Sequence, residues 1–137
     1  MENESSKPLI PPVFDYTIGI LPEDIDELGH VNNVIYLRWV QQVAAAHWNS
    51  KAARAITDNY FWVVLRHEID YLKPALLNDK ITAHTWVSSM EGAKSVRHVK
   101  FFANGNALAY AKTVWCLLDA STMKPKRIGD DIKSIFT

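Results

Sequence analysis

From Val34 to about Trp48 the chain carries a single formally charged side chain, Arg38, among Val34, Ile35, Leu37, Trp39, Val40, Val43 and Ala44-Ala45-Ala46. That stretch reads as a helix that is apolar on nearly all faces, and such a helix has to be buried by something that wraps it. The remainder of the chain supplies the wrapping. After Asn59 the pattern changes to period two, with Phe61, Val63, Leu65, Ile69 and Tyr71 alternating with Trp62, Arg66, Glu68 and Asp70, as in a half-buried strand. Pro74 and Asn78-Asp79 mark a turn. Lys80–Met90 reads as a second strand, Lys94–Ala103 as a third and Asn106–Asp119 as a fourth. The turns between them fall at Glu91-Gly92 and at Asn104-Gly105, the strongest short hairpin signal in the chain. A further strand is expected at Val13–Ile20 and a short closing helix at Asp130–Phe136. The expected fold class is α+β: a five-stranded antiparallel sheet wrapped around one long central helix. The sheet leaves edges, which commonly pair with a second copy.

The length of 137 residues suits one domain, expected over 13–137 behind a loose tail at 1–12 that ends in Pro11-Pro12. Fifteen basic residues balance fifteen acidic ones, so bulk charge favours neither nucleic acid nor an anionic membrane. The lone Cys116 can form no intrachain disulfide, and the polar start Met1–Ser6 has no signal-peptide pattern; both fit a cytoplasmic protein. The five histidines are scattered, without an HxxxH or CxxC pair, so no metal site is expected.

The chemistry is concentrated just before the helix. Asp26 and the run Gly29-His30-Val31-Asn32-Asn33 place a carboxylate, an imidazole and two amides within eight positions. The loop offers an acid/base group, and the helix that follows offers free backbone N–H donors for an oxyanion. Asn32 or Asn33 suits the helix N-cap. Asp26 also suits a plain turn before a helix, and His30 a loop histidine bonded to a backbone carbonyl.

The stretch Asp24-Ile25-Asp26-Glu27-Leu28-Gly29-His30-Val31-Asn32-Asn33-Val34-Ile35-Tyr36 resembles the D-x-D-x-x-G-H-V-N-N-x-x-Y signature of hotdog-fold acyl-CoA thioesterases, those similar to 4-hydroxybenzoyl-CoA thioesterase. Plant acyl-ACP thioesterases carry a similar H-V-N-N run. His67–Ala75 resembles the family's second strand and turn, and Leu118-Asp119 followed by Lys124-Pro125 the end of its last strand. Two positions depart from relatives. Gln41 and Gln42 stand where many have a helix Glu, and Leu28 stands where the plant enzymes have an Asn. Asp26 is therefore left as the main carboxylate.

The resemblance implies hydrolysis of an acyl-CoA thioester, with acyl-ACP as the variant carrier and coenzyme A as part of the substrate rather than a cofactor. Asp26 would be nucleophile or general base. The backbone N–H of Asn33, with that of Val34, would polarise the thioester carbonyl. His30 would orient substrate or water, or hydrogen-bond to Asp26, while Asn32 would hold the loop or the attacking water. Tyr36 is expected in the core or pocket wall, Trp62 beside the acyl group, and Lys124, Lys126 and Arg127 near the coenzyme A phosphates. A homodimer or homotetramer is implied, with sites between subunits. A hotdog hydratase fits less well: its D-x-N-P-x-H stretch places His five after Asp, whereas His30 is four after Asp26 with no Asn-Pro between. A non-catalytic acyl-thioester-binding protein of the same fold is the reading from a different class.

Overall fold

The structure is a computed structural model that describes residues 11–137. Apart from Pro11 and Pro12, the expected tail lies outside the described residues. The elements are β1 (Phe14–Ile18), α1 (Asn33–Lys51), α2 (Arg54–Thr57), β2 (Tyr60–Tyr71), β3 (Ile81–Glu91), β4 (Lys94–Ala103), β5 (Asn106–Asp119) and α3 (Asp130–Lys133). The five strands form one antiparallel sheet in the order β1-β3-β4-β5-β2. Asn104 (φ 53°) and Gly105 (φ 77°) both take the left-handed conformation that a two-residue type I′ hairpin requires.

The helix α1 lies on the sheet along one stripe. Tyr36, Trp39, Val40, Val43, Ala44, His47 and Trp48 are buried, at the three- and four-residue spacing of a single helix face. They meet Val99, Phe101, Ala109 and Ala111 toward the N-terminal half of the helix, and Leu117, Ile128, Ile132 and Phe136 toward its C-terminal end. Fully burying side chains of this size contributes roughly 1.5–3 kcal/mol each, which fixes the helix against the sheet. The opposite face, with Val34, Gln41, Gln42 and Ala45, is exposed. The expectation of a helix covered on nearly all faces is thus met on one face only within a single chain.

Strand β2 departs further from its reading. Phe61, Val63 and Leu65 are 48%, 37% and 52% exposed, while Tyr60 and Trp62 pack toward the core. The register shifts between Val64 and Arg66, where Leu65 forms a bulge. Because the side-chain period is two, one extra residue moves every later position to the other face. His67 and Ile69 therefore continue the inward row that Trp62 and Val64 began. Two boundaries are also shorter than expected: β1 loses its ends relative to Val13–Ile20, and α3 stops at Lys133 rather than Phe136.

Candidate active site

The loop before α1 is held by a carboxylate that the sequence reading did not single out. Asp24 is buried; its Oδ2 accepts from the Leu21 N–H (2.9 Å) and its Oδ1 from Arg38 Nη2 (2.7 Å). Its backbone carbonyl accepts from the Asn32 N–H (2.9 Å). One residue thereby joins the start of the loop, the helix cap and the first turns of α1. Between these anchors the chain closes on itself. Asp26 N–H donates to the His30 carbonyl (2.9 Å), and Gly29 N–H donates to the Asp26 carbonyl (3.0 Å). Gly29 sits at φ +78°, a conformation that a side chain would strain. Val31 N–H donates to the Ala75 carbonyl (2.8 Å), which ties the loop to the segment after β2.

This geometry presents the reactive groups. Asp26 Oδ1 accepts from the Leu28 N–H (2.9 Å), an Asx turn, and Oδ2 has no partner among the described residues. The contact between Asp26 and His30 is through the main chain; no bond joins their side chains among the described residues. At the helix start Asn32 is the N-cap, and its Oδ1 accepts the Val34 N–H (3.0 Å). That N–H, expected to face the substrate, is already committed to the cap. The Ile35 N–H returns to the Asn32 carbonyl (2.9 Å). Among the described residues the Asn33 N–H has no acceptor, and it sits at the positive end of the helix dipole.

A cleft of about 380 Å³ opens over this loop, between Asp26, Leu28, His30, Asn32, Asn33 and Tyr36 on one side and Tyr71, Leu72, Lys73 and Pro74 on the other. Tyr71 donates its hydroxyl to the Asn33 carbonyl (3.0 Å) and stands edge-on to Tyr36, with ring centroids 5.4 Å apart. Burial raises the pKa of both phenols; for Tyr36 a backbone hydrogen bond at Ala75 works in the opposite direction. Both hydroxyls are protonated donors at neutral pH. Tyr36, only 2% exposed, is mainly core and shows the cleft one edge.

Asp26, His30, Asn32, Asn33 and Tyr36 are therefore brought together. Trp62 and the three basic residues are not, within one chain. Trp62 stands edge-on to Trp48 (5.7 Å) and lines a second cavity under the C-terminal half of α1. Trp48, on its wall, is fifteen residues beyond Asn33, roughly 22 Å along the helix from the Asp26 loop. Lys124, Lys126 and Arg127 are exposed on the loop that folds back along the end of β5, where Lys126 N–H donates to the Leu117 carbonyl (2.9 Å). That is the Tyr60 end of β2, opposite to Tyr71. Tyr71–Pro74 read in the sequence only as the end of a strand and a turn, although they lie within the His67–Ala75 stretch that carries the family likeness. Among the described residues no group of three His, Cys, Asp or Glu side chains comes together as a metal site.

The family described as the acyl-ACP thioesterase N-terminal domain matches residues 11–136, nearly the whole described chain. The chain belongs to that family. A thioesterase from Thermus thermophilus, solved in complex with coenzyme A and Zn, superposes with a TM-score of 0.78 at 23% identity, covering 88% of this chain and 89% of that one. The shared architecture is the hotdog fold. Among curated proteins, the long-chain acyl-CoA thioesterase FadM of Escherichia coli is 25% identical over 116 residues, 80% of this chain and 86% of FadM. An uncharacterised protein of Mycobacterium tuberculosis is 26% identical over 123 residues, 88% of this chain and 48% of the relative. The chain thus spans about half the length of that mycobacterial protein. No described helix is long and apolar enough to cross a membrane.

Proposed function

We propose that this protein hydrolyses acyl-CoA thioesters, with acyl-ACP as the alternative carrier. The observation that carries the reading is the pairing of a carboxylate oxygen, Asp26 Oδ2, with a helix N-terminal donor, the Asn33 N–H, on one loop and one cleft, both without a partner among the described residues. The family membership and the likeness to thioesterases support it. The thioester carbonyl oxygen accepts from the Asn33 N–H as it takes on negative charge. Asp26 removes a proton from water, the hydroxide adds to the carbonyl carbon, and the C–S bond breaks. Asp26 passes the proton to the departing sulfur, and the products are the free acid and the coenzyme A thiol. In the variant route Asp26 Oδ2 attacks the carbonyl itself and expels the coenzyme A thiolate, and water then hydrolyses the mixed anhydride to release the acid and restore the carboxylate. His30, free of side-chain partners among the described residues, orients water or the acyl group. Asn32 acts by capping the helix that carries the donor.

The working unit is a pair of copies. Among the described residues strand β2 is bonded on one side only, by β5, and it presents Phe61, Val63 and Leu65 to solvent. The outer face of α1 beside it is likewise uncovered. Pairing two β2 edges about a two-fold axis joins the free backbone groups of both strands and continues the sheet across the pair. It also sets the Tyr71 end of one strand against the Tyr60 end of the other. The Trp62 cavity and the Lys124, Lys126 and Arg127 loop of one copy then flank the Asp26 cleft of its partner, in the acyl and phosphate roles that the sequence suggests.

The deciding experiment is thiol release from short, medium, long and aromatic acyl-CoAs, for wild type beside Asp26→Asn. Sustained turnover that falls at least a hundredfold in a folded Asp26→Asn variant is the expected result. Turnover that survives the substitution removes Asp26 from the mechanism. Binding without turnover, unchanged by the substitution, favours the acyl-binding alternative.

A further inference from the structure

The inner face of β4 carries a cation where an apolar side chain is expected. Arg97 alternates with Ser95, Val99 and Phe101 on the core side, and it is 5% exposed. Its Nη1 meets His47 Nδ1 (2.9 Å) and donates to Thr85 Oγ1 (3.0 Å). Its guanidinium carbon stands 5.3 Å from the Phe136 ring centroid. Among the described residues no carboxylate lies within ion-pairing distance of it, and Nε and Nη2 have no hydrogen-bond partner. A buried charge is stable when paired, and an uncompensated one is costly. His47 offers no negative charge: burial, with Arg97 adding to it, lowers the imidazole pKa to about 4, so the ring is neutral.

What faces this cation is a cavity. A pocket of about 300 Å³, open to solvent on one side past Asn49 and Phe61, is lined by Arg97, Ser95, Trp48, Trp62, Trp115 and Phe136 under the C-terminal half of α1. Three indole walls and a guanidinium with donors unused among the described residues suit an apolar chain that ends in a hydrogen-bond-accepting anion. We propose that this cavity binds a carboxylate at the end of a hydrocarbon chain. In the paired arrangement proposed above it receives the distal end of the acyl group whose thioester lies in the partner's Asp26 cleft. The substrate class is then acyl thioesters with a terminal carboxylate. That assignment rests on the hydrolase reading; carboxylate binding by the cavity does not.

The test compares substrates of equal length that differ only at the far end, hexanoyl-CoA with adipyl-CoA and octanoyl-CoA with suberyl-CoA. Alongside, calorimetric titration of the protein with free adipate and hexanoate reads the cavity without any chemistry. A site built to bond a polar group discriminates strongly against the analogue that lacks it. Wild type should favour the carboxylate-ended substrate in kcat/KM by about tenfold or more, and should bind adipate more tightly than hexanoate. Arg97→Met, of similar length and uncharged, should bring both ratios to near unity. A purely structural Arg97 would lower the melting temperature without moving either ratio. Should Arg97→Met fail to fold, Arg97→Lys keeps the charge while removing the guanidinium's planar set of donors, and it should shrink both ratios several-fold. Turnover of all acyl-CoAs with no end-group preference, and no adipate binding, overturns the proposal and leaves the hydrolase reading intact. Adipate binding that depends on Arg97, with no turnover of any acyl-CoA, supports the carboxylate site and removes its assignment to a substrate.

Discussion

Asn33→Pro isolates the oxyanion donor from everything else the loop does. Asn33 is the first residue of α1, and Asn32 before it has φ −60° and ψ 136°. Proline is favoured at that helical position, and the residue before a proline needs the extended ψ that Asn32 already has. The Asn33 N–H has no acceptor among the described residues, so its removal breaks no bond of the fold. The Asn33 carbonyl remains to accept the Tyr71 hydroxyl. Stability should be unchanged or raised by about 0.4–1 kcal/mol through the stiffer unfolded chain. Catalysis should lose what one oxyanion donor supplies, about 2.7–4 kcal/mol, or roughly 10²–10³ in kcat. Initial rates of thiol release and a thermal melt on the same preparation read both quantities. Asn33→Ala, which keeps the N–H, should retain most of the activity. A Pro variant with an intact melt and wild-type kcat would refute the assignment of this N–H to the oxyanion.

Two predictions concern the groups that hold the framework. Asp24→Asn keeps the shape but removes the charge that Leu21 N–H and Arg38 Nη2 bond to; a loss of about 1–3 kcal/mol is expected, and a urea midpoint equal to wild type would contradict the role given to Asp24. His47 has a folded-state pKa of about 4 against an ordinary 6.5. The unfolded chain therefore binds the extra proton between those values, and stability falls as pH drops from 6.5 toward 4, by a few kcal/mol at most. His47→Gln should flatten that part of the pH–stability curve in urea unfolding at pH 7 and pH 5. An unchanged slope would mean that other groups carry it.

Short-range pattern determined a large part of this protein. The Asp26–Asn33 loop, the helix behind it and the Asn104-Gly105 hairpin were legible because each is built by neighbours in sequence: an Asx turn, a cap, a glycine at positive φ. Five of the named site residues fall into one cleft for the same reason, since all lie within eleven positions on one loop and the first turn of one helix. The rest depended on partners far along the chain. Arg38 reaches Asp24 across fourteen positions, Tyr71 reaches Asn33 across thirty-eight, and Arg97 reaches His47 across fifty. Periodicity reports that a strand has two faces, but it cannot say which face meets the helix, nor where a bulge such as that at Leu65 exchanges them. That choice turned Trp62 inward and left Phe61, Val63 and Leu65 outside. Arg97 was visible as a charge in the apolar phase of β4. Its lack of a counter-ion among the described residues became meaningful only once the sheet register and the helix had formed a pocket beside it, because the cost of a buried charge is set by everything that surrounds it.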